Sequence, residues 1–515
     1  MSFRIGIDVG GTNTDAVVID DKDRIVEKTK SPTTRDVTSG IINALEQVLT
    51  ESVDRDAIDH VMLGTTHCTN AITERRNLNQ VGVIRIGAPA TKAIEPLLEW
   101  PDDLAKAIGD LTTIVGGGHE FDGRELASLD DDAVYSFLEK HKSAIDSVAV
   151  TSVFSPVRDD HETRVADIAR EVLGEDTPVS VSSEIGSIGL LERENATVLN
   201  ATLTRVIHEA SEAFRLAMAE HDIDARFFLG QNDGTLMSVD YAERYPIYTV
   251  ASGPANSIRG AAYLSGMSDG IIVDVGGTTT DVGVLTDGFP RESAVAVEIG
   301  GVKTNFRMPD LIAVGIGGGS IVRSNDEVTV GPDSVGYELT DKALVFGGET
   351  VTATDIAVAR GMAEIGDVEP DLEVEIVDAA ASFIRQRVEY AIDRMKTSPE
   401  PVPIAVVGGG SILLTDRIDG AASVEKPEHF EVANAIGAAI SQVSGDIDRV
   451  FSLDELERDE AVEQAKQEAI DEAITAGADP STIEVVDFEE IPISYLPGNA
   501  VRMRAKAAGE LLTSS

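Results

Sequence analysis

The apolar residues of this chain fall in short continuous runs of strand length, divided by turn residues and by stretches with a helical repeat. Phe3–Val9 (FRIGIDV) reads as a buried strand that ends in Gly-Gly. Ala16–Asp20 and Arg24–Thr29 follow at meander spacing, joined by the polar turn Asp21–Asp23. Ile41, Ile42, Leu45 and Leu49 share one face and predict a helix over Thr38–Leu49. His60–Gly64 and Val81–Gly87 read as further strands.

The pattern then returns. Gly270–Gly277 is a strand into Gly-Gly, Asp281–Gly288 a second strand closing in an Asp-Gly turn, and Glu292–Ile299 a third. Pro403–Ser411 is a buried strand into a glycine turn. Asp8–Asp15 (DVGGTNTD) recurs as Asp274–Asp281 (DVGGTTTD), identical at seven of eight positions. Three antiparallel strands, then helix, strand, helix, strand, is the plan of a ribonuclease-H-like lobe. The expected fold is therefore α/β, with two such lobes around a cleft and a ligand shared between them. The expected boundaries are an N-terminal lobe over 1–190, a C-terminal lobe over 191–450 and a small appendage over 451–515. Between the paired elements lie an irregular stretch (Ala88–Asp130), a β–α–β segment (Ser147–Val181) and a long helix near Arg193–Ala219. The tail reads as a charged amphipathic helix and short strands around Pro497-Gly498.

Charge narrows the function classes. The 515 residues carry 42 Lys+Arg against 90 Asp+Glu, a net charge of −48, and only 13 of the basic residues are Lys. Phosphate neutralisation needs clustered cations, so a nucleic-acid partner is excluded, as is attachment to anionic lipid. Disorder is not the cause, since hydrophobic residues make up 42%. Acidic residues spread over the whole chain suit a surface kept hydrated in concentrated salt, where self-repulsion is screened. The one cysteine, Cys68, excludes an internal disulfide or a Cys-rich metal site. The start lacks a signal-peptide pattern and no run of about 18 apolar residues occurs, so a cytoplasmic protein is expected.

The repeated segment carries the chemistry. Its glycines allow a tight turn that presents backbone N–H groups to anionic oxygens, and its hydroxyls add donors. The candidate nucleotide-binding residues are Gly10, Gly11, Thr12 and Asn13 in the first loop, and Gly276, Gly277, Thr278 and Thr279 in the second. Asp8 and Asp274 close their strands, where carboxylates can hold Mg²⁺ on ATP phosphates. Asp15 and Asp281 could orient a water or substrate N–H, or merely cap a turn. A third loop, Gly408, Gly409, Gly410 and Ser411, follows a buried strand and is expected to open a helix against the adenosine. Asn434–Ser441, a helix of small residues, suits a hinge where two helices cross closely.

In this order, Asp8–Asp15, Asp274–Asp281, Gly408–Ser411 and Asn434–Ala438 resemble the phosphate-1, phosphate-2, adenosine and connect motifs of the actin/Hsp70/sugar-kinase ATPases. Over residues 3–445 the chain more specifically resembles the hydantoinase A/5-oxoprolinase family. The segments carrying this are Gly64–Arg75, Arg193–Leu203, Ser252–Ala262, Asp274–Leu285 and Gly315–Val322. The resemblance implies ATP-dependent opening of a cyclic amide such as a hydantoin or 5-oxoproline, often with a separate B subunit, and leaves room for an oligomer. Two departures stand out. Family members are usually longer, and many carry a Pro-Gly-Pro-Ala-Cys-Tyr-Gly-like segment where this chain has Gly331–Gly348 without such a match.

On the substrate side, Thr65, Thr66, Thr69 and Asn70 follow a strand and open a helix, a place for an oxyanion or a ring carbonyl; Asn70 is also a catalytic candidate, and Arg75, a further substrate candidate, lies further along that helix. The threonines could equally cap that helix. His67 and Cys68 in the same turn read as packed. His60, His119 and His161 lack a metal-ligand spacing, so no zinc site is assigned. Arg193, Glu194 and Asn195 could make interlobe contacts, and Trp100 reads as core. Two other classes stay open: a small-molecule kinase of the same superfamily, and a non-enzymatic actin-like filament or scaffold.

Overall fold

The computed structural model describes residues 2–10, 12–32, 37–186, 188–293, 297–306, 308–324, 327–454, 456–493 and 499–512. Gly11 and the Pro497-Gly498 turn lie outside them. The fold is α/β, built on two sheets of like design. In the first, Phe3–Val9 has Asn13–Asp20 antiparallel on one side and Ile58–Thr65 parallel on the other; Ile25–Pro32 completes the meander and Arg226–Gly230 extends the parallel side. In the second, Gly270–Val275 has Thr280–Thr286 antiparallel on one side and Val402–Val407, then Ala421–Glu425, parallel on the other. The register is the same in both: Asp8 faces Asp15, and Asp274 faces Asp281. A third, all-parallel sheet orders Leu111–Gly116, Val81–Ala88, Ser147–Ser152 and Val179–Val181.

The sheets cut across the expected boundaries. Arg226–Gly230 and Leu236–Ser238, expected in the second lobe, belong to the first sheet. So do Val443–Ser452, Glu484–Pro492 and Ala500–Gly509, which bring it to nine strands. The segment expected as an appendage is thus the sheet's far edge. Its helix Arg458–Ala476 buries Ala461, Ala465, Ala469, Ala473 and Ala476, a row of small residues that lets it lie close on those strands. The expected third strand of the second lobe also moves. Val297–Ile299 pairs with Val302–Thr304 in a separate hairpin, and Leu311–Val314 takes the place beside Thr280–Thr286.

The two sheets meet through a helix pair, Ser252–Ser265 and Ala433–Ile440. A Cβ on Gly260 would lie 1.8 Å from the Ala433 carbonyl oxygen, and one on Gly437 would lie 1.9 Å from that of Asn256. The backbones therefore touch, as the small-residue hinge required. Gly437→Ala is expected to force this crossing apart and cost about 1–3 kcal/mol, the scale of overpacking a filled interior. A melting curve checks it; an unchanged midpoint would mean the helices are free to slide. No helix among the described residues is long and apolar enough to cross a membrane.

Candidate functional site

The loops at the ends of the two central strands face each other across a cleft enclosing about 300 Å³. Its walls include Asp8, Gly10, Thr12, Asn13 and Asp15 from the first repeat, and Asp274, Gly276, Gly277, Thr278, Thr279 and Asp281 from the second. Thr12 and Thr278, at matching repeat positions, bring their hydroxyl oxygens to 3.5 Å. A Cβ on Gly277 would meet Thr12 Oγ1 at 2.4 Å, so the loops abut.

Asp8 is seated by its neighbours. A Cβ on Gly64, on the adjoining strand, would lie 2.3 Å from Asp8 Oδ1, so glycine there makes room for the carboxylate. Asn434 Nδ2 donates to Asp8 Oδ2 at 2.8 Å. The other oxygen, Oδ1, is buried with no hydrogen bond among the described residues, and so are both amide atoms of the nearby Asn256. Burial, with the Asp15 charge next, pushes the Asp8 carboxyl up to about 7. Burial and then Asp274 push Asp281 to about 7 as well. Asp15 and Asp274 are also raised by burial. Lys30 Nζ opposes this at Asp15, donating to Oδ1 at 2.9 Å and Oδ2 at 2.8 Å. The Asp281 carboxylate has no hydrogen-bond partner among the described residues. Four desolvated carboxylates with one unpartnered buried oxygen form a hard donor set that fits a divalent cation such as Mg²⁺.

The third loop serves in part. Gly408 and Gly409 line the cleft, whereas Gly410 and Ser411 are buried behind it. The helix expected after it is only a five-residue 3₁₀ turn, Gly409–Leu413. The loop leans on the second repeat: Gly408 has φ of 84°, and a Cβ there would strike Asp274 Oδ1. The Gly315–Ser320 segment supports the same repeat from below, with Gly318 N donating to Gly276 O at 3.0 Å and Thr280 Oγ1 to Ile316 O at 2.7 Å.

Of the residues expected to meet substrate, only Thr66 lines the cleft. It stands at the N-cap of the helix His67–Glu74 without a side-chain cap bond; its hydroxyl instead donates to Val9 O at 3.2 Å and accepts from Asn70 Nδ2 at 3.2 Å. Asn70 therefore orients Thr66 from outside. Thr65 is buried and accepts from His67 N, a local turn. Arg75 ends the helix in the left-handed region, and its guanidinium donates to Gly300 O at 2.9 Å and Asp103 at 3.1 Å. It braces the backbone and does not reach the cleft.

Sequence reasoning gave no site role to Lys30, Gly253, Pro254, Ser257 or Glu431, and gave Asn434 only a hinge role, yet all line the cleft. Arg193 and Glu194 lie elsewhere: Glu194 accepts from Arg85 Nε at 2.6 Å, and Arg193 NH2 donates to Ser152 O at 2.7 Å. Trp100 is buried and donates to Asn195 Oδ1 at 2.7 Å. The fold also gathers His119, Asp160 and His161, whose ligand atoms lie within 4.8 Å of one another, which their spacing did not reveal. Gly118 N donates to His161 Nδ1 at 3.0 Å, which leaves the ring proton on Nε2 and takes that nitrogen out of metal ligation.

Residues 4–173 match the hydantoinase/oxoprolinase N-terminal region, and residues 193–371 match hydantoinase/oxoprolinase. An uncharacterised protein of Methanocaldococcus jannaschii is 25% identical over 96% of this chain and 79% of its own length. Caprolactamase subunit alpha of Pseudomonas jessenii is 26% identical over 85% of this chain, and the match spans 65% of that subunit. The crystal structure of ATP-dependent caprolactamase from Pseudomonas jessenii superposes with a TM-score of 0.76 at 20% identity, covering 99% of this chain and 88% of that one, a likeness of fold.

Proposed function

The chain belongs to the hydantoinase/oxoprolinase family, and from that premise we propose that it is an ATP-dependent hydrolase that opens a small cyclic amide, such as a hydantoin or 5-oxoproline. One observation carries the reading: two near-identical loops, each with an aspartate at the end of its strand, face each other across one cleft. A ring amide is resonance-stabilised and resists water. Attack of its oxygen on the γ-phosphorus expels ADP and leaves an electrophilic carbon. Water adds there, the ring C–N bond breaks with the amine taking a proton, and a second water releases phosphate from the acyl phosphate.

The chain's own groups divide this work. The loop N–H groups and the Thr12 and Thr278 hydroxyls position the phosphates. Asp8 and Asp274 would hold Mg²⁺, which neutralises charge on the transferring phosphoryl group. Asp281, without a counter-ion and titrating near neutrality, takes the proton from water. Asp15 is held by Lys30 and serves to place it. Thr66, oriented by Asn70, lies at the substrate end. Because a relative is named as an alpha subunit, a separate B subunit is the expected partner. ATP use and the −48 charge fit the cytoplasm of a cell rich in salt.

A pH dependence follows. Asp8 and Asp281 ionise near 7 in the folded chain rather than near the ordinary 3.8. In the unliganded protein they favour folding at low pH, and that contribution is lost as pH rises through about 7. Metal–nucleotide binding needs them ionised, so affinity is expected to rise through the same range with proton release. Calorimetry in two buffers of different ionisation heat reads this; affinity independent of pH would contradict it.

The function itself is tested by ATP turnover with a panel of hydantoins, 5-oxoproline, lactams and sugars in molar KCl, with any separate B subunit present. Ring-opened product formed with ADP supports the reading. A phosphoryl group retained on a hydroxyl would support the kinase reading instead.

A further inference from the structure

The two phosphate loops share a sequence but not their surroundings, and the difference is Lys30. Asp15 stands opposite Lys30 on the next strand, whereas its counterpart Asp281 stands opposite Ala313. The walls of the cleft carry five carboxylates, Asp8, Asp15, Asp274, Asp281 and Glu431, and Lys30 is the one Lys or Arg among the described lining residues. A triphosphate entering these walls meets strong like charge. A single divalent cation offsets only part of it, so the position of the one fixed cation matters.

Lys30 is built to reach the phosphates. It leaves the strand Ile25–Pro32 of the first sheet, and its Nζ bonds both Asp15 oxygens and, at 3.0 Å, the carbonyl oxygen of Glu431. Its stem passes over the third glycine loop, where a Cβ on Gly409 would lie 3.1 Å from Lys30 Cε. The ammonium therefore stands between the first phosphate loop and the loop that borders the second. An ammonium is a point donor on a flexible stem, able to exchange one anionic partner for another without rebuilding the site.

We propose that Lys30 is a phosphate-positioning residue that exchanges its bonds with Asp15 for terminal phosphate oxygens when nucleotide binds. Asp15 is then released toward the reacting groups, so nucleotide entry arms the first loop. The inference rests on the reading of the cleft as an ATP site.

The test is binding of a non-hydrolysable ATP analogue with Mg²⁺ to the full chain in molar KCl, for wild type, Lys30→Met, Lys30→Arg, Asp15→Asn and the Asp15→Asn/Lys30→Met pair. Lys30→Met is expected to weaken binding by about 10- to 100-fold, the scale of a charge-assisted hydrogen bond, and Lys30→Arg to regain part of it. The decisive arm is the double variant: the Lys30→Met loss persists when Asp15 is already neutral. If the loss vanishes there, Lys30 is only a counter-ion for Asp15 and the proposal falls. Lys30→Met binding as tightly as wild type also overturns it. Should Lys30→Met not fold, as judged by its melting curve, the comparison is read from Lys30→Arg, alone and paired with Asp15→Asn, whose affinity must then fall in both backgrounds. A wild type that binds no nucleotide would instead overturn the ATP reading beneath it.

Discussion

Asp8→Asn and Asp274→Asn are each expected to slow ATP turnover by roughly 10²-fold or more, the scale of losing one electrostatic contact that acts in the transition state. Asparagine keeps the shape and removes the charge. At Asp8 the change is worse than neutral, because Asn434 Nδ2 now donates to Asp8 Oδ2, and an amide turned the wrong way would set donor against donor. The unpartnered oxygen Oδ1, the position best suited to a cation, would lose its formal charge. Initial-rate kinetics read the effect, with far-UV circular dichroism as a control for folding. Unchanged turnover in both variants would mean that the loops are structural turns.

In dilute buffer the chain is expected to lose its fold. A net charge of −48 repels itself over a Debye length of about 30 Å at ~10 mM salt, but of only about 3 Å at ~1 M. The surface offers little to offset this: exposed ion pairs such as Arg164–Asp131 or Lys342–Glu338 contribute little individually. Dialysis from molar KCl into low salt, followed by circular dichroism, is expected to show loss of helical signal. Full stability at low salt would remove the salt-adapted reading.

What the sequence revealed, and what it hid, has physical reasons. The two loops were legible because the same octapeptide ends two buried strands, and a strand's end fixes where its aspartate points. Lys30 was hidden by a β-bulge. Counting back from the hairpin, where Ile19 pairs with Ile25, sets Thr29 against Asp15. The irregularity between Val18 and Ile19 shifts the register by one and turns Lys30 to the cleft side instead. The third strand of the second sheet was misread because Glu292–Ile299 has strand composition, but Val297–Ile299 closes a hairpin on Val302–Thr304 and leaves the sheet edge to Leu311–Val314. The tail was misread for a related reason. Its two strands pair with each other and join the first sheet where Ala500–Gly509 pairs with Val443–Ser452, a long-range choice that no local pattern encodes. Arg75 was placed near the substrate by proximity in sequence, yet the left-handed turn that ends its helix directs it to Gly300.

The central claim is that the repeated loops enclose Mg·ATP. A crystal structure of the full chain with Mg²⁺ and a non-hydrolysable ATP analogue, grown from molar salt, tests it most directly. The account predicts the terminal phosphates in the cleft against the Thr12 and Thr278 hydroxyls, with the metal on the carboxylate side of Asp8 and Asp274. Nucleotide bound elsewhere, with the loops closed on each other and the four aspartates without a cation, would contradict it.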